Sequence, residues 1–259
     1  WTTDFIFSNA KNKVTELKSD ANVMSMISGS GFALEGNPVR SLYSLNFQGL
    51  NKEGLPTFIN EKGELTVTDI NFQERENKSH LVYEGSTDPT ITGSFGNIFS
   101  YKGFKLNVFM TYSFGNVIRL DPVFHNAYSD LDATPREFKN RWTVAGDEKI
   151  TTVPVIADLR QNTMNSYLNK AYNAYNYSTE RIAKGDFIRM KEISVTYEFP
   201  KTMVSKLSLS NLSLKIQGTN LFLLYADKKL NGQDPEFFNS GGVAVPVPKQ
   251  FTLTLRLGI

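Results

Sequence analysis

The sequence contains no cysteine and only two histidines, His80 and His125, among 259 residues. The first absence excludes a disulfide framework and any cysteine-ligated zinc, haem-attachment or iron–sulfur site, and it suits an oxidising compartment. A dominant charge of one sign is missing too. Lys and Arg number 28 against 26 Asp and Glu, and a net charge of +2 offers no footprint for nucleic acid. No apolar run approaches the roughly 18 to 20 residues of a membrane-spanning helix. That excludes helical insertion only, because a transmembrane strand is about 9 to 11 residues long and alternates apolar with polar side chains, so hydropathy averaging hides it. The start, Trp1-Thr2-Thr3-Asp4-Phe5-Ile6-Phe7, lacks the basic stretch, apolar run and small-residue cleavage site of a signal peptide. It reads as a strand entered partway, with residues expected ahead of it. What is abundant is aromatic: 19 Phe and 11 Tyr, with Phe, Trp and Tyr together at 12%.

Period-2 patterning is clearest in the second half. Phe104, Leu106, Val108, Met110, Tyr112 and Phe114 occupy one face of a strand whose other face carries Lys105, Asn107, Phe109, Thr111 and Ser113. Phe251, Leu253, Leu255, Leu257 and Ile259 alternate with Thr252, Thr254, Arg256 and Gly258. Leu212, Leu214, Ile216 and Phe222 alternate with Ser213, Lys215, Gln217 and Thr219, and Ile193, Val195, Tyr197 and Phe199 with Ser194, Thr196 and Glu198. That last strand changes phase, since upstream Ile188 and Met190 are apolar on even positions. A bulge near Lys191-Glu192, or a strand that leaves the bilayer there, accounts for the switch. Before residue 50 the pattern is less regular, and strands are expected near 2–9, 22–33 and 39–49, with a turn at Gly36-Asn37-Pro38.

Connections come in two sizes. Lys102-Gly103 is a tight turn and Pro200 to Ser210 a short link, whereas about 50–90, 115–184 and 225–248 carry few strand signals. Structureless connections that long argue against a compact soluble domain. Short turns at one end and long loops at the other are the arrangement of an outer-membrane barrel. With the C-terminal strand ending at the periplasmic side, Tyr101, Phe104, Tyr197 and Phe199 fall at periplasmic ends. Tyr112, Phe114, Phe222, Tyr225 and Phe251 then fall at outer ends, as two interfacial girdles.

Six segments in order resemble the C-terminal part of the SusC/RagA-type TonB-linked outer-membrane transporters. They are Gly36-Asn37-Pro38-Val39-Arg40-Ser41-Leu42-Tyr43 with Phe47-Gln48-Gly49-Leu50; Asp88-Pro89-Thr90 with Tyr101-Lys102-Gly103-Phe104-Lys105-Leu106; and Arg141-Trp142-Thr143 with Gly146-Asp147 and Pro154. The others are Gly185-Asp186-Phe187-Ile188-Arg189-Met190-Lys191; Tyr197-Glu198-Phe199-Pro200-Lys201; and Gln217-Gly218-Thr219-Asn220-Leu221-Phe222 with Asp234-Pro235-Glu236. The family commonly ends on Phe where this chain has Ile259. The resemblance implies an all-β fold, with about seven or eight antiparallel strands over residues 1–259 forming the C-terminal segment of a large transmembrane β-barrel with long extracellular loops. The plug, signal peptide and earlier strands are expected to lie outside this sequence. It further implies nutrient import, of oligosaccharides or peptides, with a SusD-like surface lipoprotein as lid and the TonB complex acting through the plug. The remaining barrel, the plug and outer-membrane lipid are the other partners.

Outside the resemblance, chemistry-bearing signals are sparse. His80 and His125 sit in polar loops without a partner at a telling spacing, and Asp130 and Asp132 read as solvated loop acids. Gly93-Ser94-Phe95-Gly96 precedes no helix, so it is no phosphate loop. No catalytic residue, metal or cofactor is expected. The best candidate is the 115–184 loop, where Asn162, Asn165, Asn169, Asn173 and Asn176 recur at spacings of 3, 4, 4 and 3, apart from a second stripe of Met164, Leu168, Ala171 and Tyr175. One reading is a short helix pinned by its apolar stripe, which offers amides with Tyr167, Tyr172 and Tyr177 to a solute or a lid partner. The other is a solvated loop with a polar face. Trp142 is either a stacking platform or a loop anchor. The candidate contacts are thus Trp142, Asn165, Tyr167, Asn169, Tyr172, Asn173, Tyr175 and Tyr177, and the candidate lipid-facing residues are Phe104, Leu106, Val108, Met110, Tyr112, Phe114, Leu253, Leu255 and Leu257. Arg189 and Lys191 are expected to hold carboxylates at the wall. Two other classes compete: a porin or assembly barrel, and a soluble all-β glycan-binding or adhesion module whose apolar stripes face a sandwich core.

Overall fold

The structure is a computed structural model and describes residues 1–18, 20–124, 135–238 and 247–259. His125, Asp130 and Asp132 lie outside the described residues. In chain order the strands are β1 (Thr2–Asn9), β2 (Ser41–Leu45), β3 (Phe47–Leu50), β4 (Pro56–Ile59), β5 (Leu65–Thr66), β6 (Leu81–Ser86), β7 (Ile91–Tyr101), β8 (Phe104–Phe114), β9 (Val117–Arg119), β10 (Ile182–Lys184), β11 (Phe187–Glu198), β12 (Asn211–Ala226) and β13 (Gln250–Gly258). The helices are α1 (Val23–Ile27), α2 (Leu159–Met164), α3 (Leu168–Asn176) and α4 (Lys201–Val204). The chain divides into two compact units, the first made of Trp1–Lys11, Pro89–Asn116 and Lys184–Ile259, the second of Asn12–Asp88 and Val117–Ala183.

The first unit is a six-stranded sheet in the order β1-β7-β8-β11-β12-β13, antiparallel throughout. Its register aligns the alternating residues into rows. Leu106 faces Val195, Val195 faces Ile216 and Ile216 faces Leu253, while one row nearer the tight turn Phe104, Tyr197, Leu214 and Leu255 align likewise. The two expected apolar stripes, on β8 and β13, therefore share one face. The phase change is a bulge: pairing on both neighbours passes from Met190 to Glu192, and Lys191 drops out of the ladder. That one extra residue keeps Ile188, Met190, Ile193, Val195 and Tyr197 on the apolar side. Lys102 and Gly103 close β7 to β8 with φ of 46° and 84°, the left-handed pair whose twist matches a hairpin.

Within this unit no second sheet among the described residues covers the apolar face. Phe5 is 64% exposed, Leu253 69% and Leu255 58%. The sandwich core expected of a soluble module is not there. At one position the face is locked by a side chain. Gly93 lies between Phe7 and Tyr112, and the Tyr112 ring crosses the space a Cβ would fill to donate from its hydroxyl to the Ile6 carbonyl at 2.8 Å. An aromatic ring thus covers a strand glycine and ties β8 to β1 across β7. Tyr101 to Phe104 and Phe199 to Ser210 close one end of the sheet; the connections from β1 to β7, β8 to β11 and β12 to β13 all leave from the other. Among the described residues no helix is long and apolar enough to cross a membrane.

The second unit folds the first two long connections around a common core that includes Val23, Met26, Ile27, Tyr43, Leu45, Phe58, Val123, Phe138 and Tyr175. Three small sheets flank it, β2 with β6, β3-β4-β5, and β9 with β10. Here the sequence reading needs correction. The strand expected over 22–33 is replaced by α1, because Val23, Met26 and Ile27 are buried at helical spacing and the Asn22 side chain caps the helix by accepting from Ser25 N–H at 2.8 Å. The strand expected over 39–49 is two strands, and Asn46 separates β2 from β3, which pair in different sheets. Among the described residues six strands, not seven or eight, share the main sheet, and the 50–90 stretch contains β4, β5 and β6. The Gly36-Asn37-Pro38 turn forms, with Gly36 at φ 88° and Asn37 Nδ2 donating to the Tyr43 hydroxyl at 2.7 Å.

Candidate functional site

The polar face of the sheet is built by the positions between the apolar ones. Asn107, Glu192, Ser194 and Lys215 come from three adjacent strands. Glu192 Oε1 accepts from Asn107 Nδ2 at 3.1 Å and from Ser194 Oγ at 3.0 Å, and lies 3.5 Å from Lys215 Nζ. Toward the tight turn this face opens into a basin of about 280 Å³ lined by Lys105, Thr196, Glu198, Lys215, Thr254 and Arg256 among others. None of these was singled out in the sequence; their signal is the weak one of being the polar half of an alternation. On the loop side of the bulge, Arg189 pairs with Asp234 and, through Nε at 2.9 Å, with Glu236, while Lys191 stands 3.8 Å from Glu236. Arg189 and Lys191 hold carboxylates as expected, and those carboxylates belong to the Asp234-Pro235-Glu236 segment. The Asp234 side chain also caps its own turn by accepting from Glu236 N–H.

In the second unit the candidate contacts separate into anchors and free groups. The short helix of the first reading is broken in two, because Tyr167 takes a left-handed conformation (φ 64°) between α2 and α3. Leu168, Ala171 and Tyr175 are buried as the apolar stripe requires, but Met164 is 70% exposed. The asparagine stripe mostly serves the backbone. Asn162 donates to the Asp158 carbonyl and Asn165 to that of Gln161. Asn176 accepts from Val123 and Phe124 N–H and donates to the Phe124 carbonyl. Tyr175 is a correction: wholly buried, edge-on to Phe47 and Phe124, it meets no solute in this conformation, and burial pushes its hydroxyl well above the usual range. Tyr172 is half-buried and donates to the Val155 carbonyl at 2.6 Å. Tyr177 lies under the Arg119 guanidinium, 5.6 Å from its ring. Burial lowers Arg119 to about 10. Tyr167 and Asn169 remain exposed and Asn173 partly so.

Trp142 behaves as the anchor. Its ring covers Gly54, where φ is 76° and a Cβ would lie 2.5 Å from the indole. Its Nε1 donates to Glu148 at 3.1 Å, which holds that carboxyl below its ordinary value. Asp147, accepting from Thr143 N–H, Val144 N–H and the Thr143 hydroxyl, is lowered for the same reason. Among the described residues no group of three or more His, Asp or Glu could hold a metal ion.

Comparison with known proteins turns this geometry into a relationship. No family model matches the chain. TonB-dependent receptor P3 of Formosa agariphila is 25% identical over 252 residues, covering 91% of this chain and 23% of the relative. TonB-dependent receptor P39 of the same organism is 25% identical over a 312-residue alignment that covers the whole chain and 28% of the relative. The match falls on a segment of these TonB-dependent receptors. It spans about a quarter of the length of the curated relatives it matches. A solved structure of the RagAB peptide importer in its open-open state superposes on 99% of this chain and 26% of that chain with a TM-score of 0.68 at 21% identity, a likeness of fold. The chain is accordingly an all-β fragment of barrel type, and the proteins it resembles are receptors and importers.

Proposed function

We propose that this segment forms wall and loops of a TonB-dependent outer-membrane importer that takes up oligosaccharides or peptides with a SusD-like surface lipoprotein. The observation that carries this reading is the two-faced sheet: one exposed apolar face and one polar face that holds the Glu192 cluster and the basin, both aligned by register across the strands. Phe104, Leu106, Val108, Met110, Tyr112, Phe114, Leu253, Leu255 and Leu257 then meet lipid, and the polar face lines the lumen. Transport needs a gate and an energy supply that a wall does not contain, so the plug, the TonB complex and the rest of the barrel are partners. The SusD-like lipoprotein follows from the resemblance of the six sequence segments, and the likeness of fold to the RagAB peptide importer supports import. Solute contact falls to the exposed Tyr167 and Asn169 and the partly exposed Asn173, while Trp142, Asn165, Tyr172, Tyr175 and Tyr177 anchor the surrounding loop.

Single cysteines placed along β13 in a receptor otherwise free of cysteine test the reading. In outer-membrane vesicles, Thr252→Cys, Thr254→Cys and Arg256→Cys react with a membrane-impermeant maleimide, and Leu253→Cys, Leu255→Cys and Leu257→Cys stay protected until detergent is added. Equal labelling at odd and even positions in intact membrane overturns it.

A further inference from the structure

The tight-turn end of the sheet combines three features that none of the residues above explains. The first is charge. Tyr101 to Phe104 and Phe199 to Ser210, the two turns that close this end, contain Lys102, Lys201 and Lys206 and no acidic residue. All three lysines are exposed and none forms an ion pair among the described residues. The nearest acid in sequence, Glu198, lines the basin on the polar face. The second is an aromatic cluster beside them: Phe104 and Tyr197 have ring centroids 4.5 Å apart, Tyr197 and Phe199 4.8 Å, and Lys102 Nζ lies 5.2 Å from the Tyr101 ring. The two turns abut, since Glu198 N–H donates to the Gly103 carbonyl at 2.8 Å. The third is α4, which buries Val204 and leaves Met203 54% exposed between Lys201 and Lys206. An apolar side chain held out between cations, next to amphipathic rings, suits a boundary where hydrocarbon gives way to negative charge. The opposite end mixes signs, with Lys184, Asp186, Asp227 and Lys228 at the strand ends.

We propose that this end of the sheet is a ledge for anionic phospholipid headgroups, with Lys102, Lys201 and Lys206 on the phosphates and Tyr101, Phe104 and Met203 at the glycerol level. The proposal rests on the reading that the sheet spans a membrane and adds which lipid the wall selects and where. Each lysine near an anionic surface is worth about 1 kcal/mol, a factor of about five, so three give a preference on the order of a hundredfold.

The test is native mass spectrometry of the whole receptor in detergent micelles titrated with dioleoyl phosphatidylglycerol or dioleoyl phosphatidylcholine. The unchanged receptor retains phosphatidylglycerol at far lower added concentration than phosphatidylcholine. Lys102→Gln/Lys201→Gln/Lys206→Gln loses most of that preference, whereas Lys228→Gln/Lys249→Gln at the other end and the triple Lys→Arg variant keep it. Equal retention of the two lipids by the unchanged receptor, or a preference that survives the triple Gln change, overturns the ledge while leaving the membrane reading intact. A receptor that stays in aqueous solution without detergent and binds neither lipid overturns both. Should the triple Gln variant fold poorly, Lys201→Gln/Lys206→Gln alone carries the same expectation at about a twenty-fifth of the original preference.

Discussion

Removing Arg189 is the sharpest perturbation of the wall. Its side chain is 6% exposed and faces Asp234, 11% exposed, and Glu236, 35% exposed. Replacement by Met keeps the volume but strands Asp234 as a desolvated carboxylate, and breaking one side of a buried pair costs about 3 to 5 kcal/mol. Glu236 is wet enough to rehydrate, so Glu236→Gln and Lys191→Gln each cost under about 1 kcal/mol. Asp234→Asn retains the side-chain oxygen that caps its turn, which makes it the cleaner half of a double-mutant cycle. Combining it with Arg189→Met removes both charges, and most of the single-mutant loss returns, a coupling of about 2 kcal/mol or more. Equilibrium urea unfolding of the receptor carrying this segment, in micelles and followed by circular dichroism, measures all four. If Arg189→Met lies within about 0.5 kcal/mol of the parent, or the two changes simply add, the cluster is solvated and the reasoning is wrong.

Gly93→Ala sets a methyl against the Ile6 carbonyl and the Tyr112 hydroxyl; it is expected to cost about 1 to 3 kcal/mol and to speed amide exchange along β1, while Tyr112→Phe, which loses one hydrogen bond, costs about 1 kcal/mol. Asn176→Ala strips three hydrogen bonds from the 123–124 backbone and should destabilise the second unit by about 2 to 4 kcal/mol in thermal denaturation, against about 0.5 kcal/mol or less for the exposed Asn169→Ala. His80 is 6% exposed, and burial lowers its pKa although Glu61 and Glu74 pull it upward. Because the unfolded chain takes up that proton first, stability should fall as pH drops through about 6.5 and level off below the folded value; His80→Phe should flatten the profile, and an unchanged slope would refute the assignment.

The strands of the main sheet are legible because each carries apolar side chains on one face and polar ones on the other, which writes a period of two into the residues. Even the bulge at Lys191 showed, since one inserted residue inverts the pattern. The second unit was harder for the opposite reason. β2 is buried along its whole length and carries no alternation, and α1 is five residues long, too short for a helical period to stand out from a strand. The asparagine stripe of 162–176 leaves two readings open in the sequence because amide side chains satisfy a helix end or a neighbouring backbone as readily as a ligand. For Trp142 the sequence leaves platform and anchor both open, because its partner Gly54 lies 88 positions earlier, beyond any local signal. The ion cluster was half visible, with both cations on one strand and the carboxylates a long connection away.

The shared core of the second unit has a consequence for how such loops are exchanged. Tyr175 comes from one connection and rests on Phe47, which comes from the other, and Asn176 pins its own connection at Val123 and Phe124 while Leu45 N–H donates to the Tyr177 carbonyl. Among the described residues the buried core draws on both connections. A graft that moves 117–183 alone into a related wall should misfold, and one that moves 12–88 with it should carry its binding preference along. The two insertions are therefore expected to be exchanged as one module rather than singly.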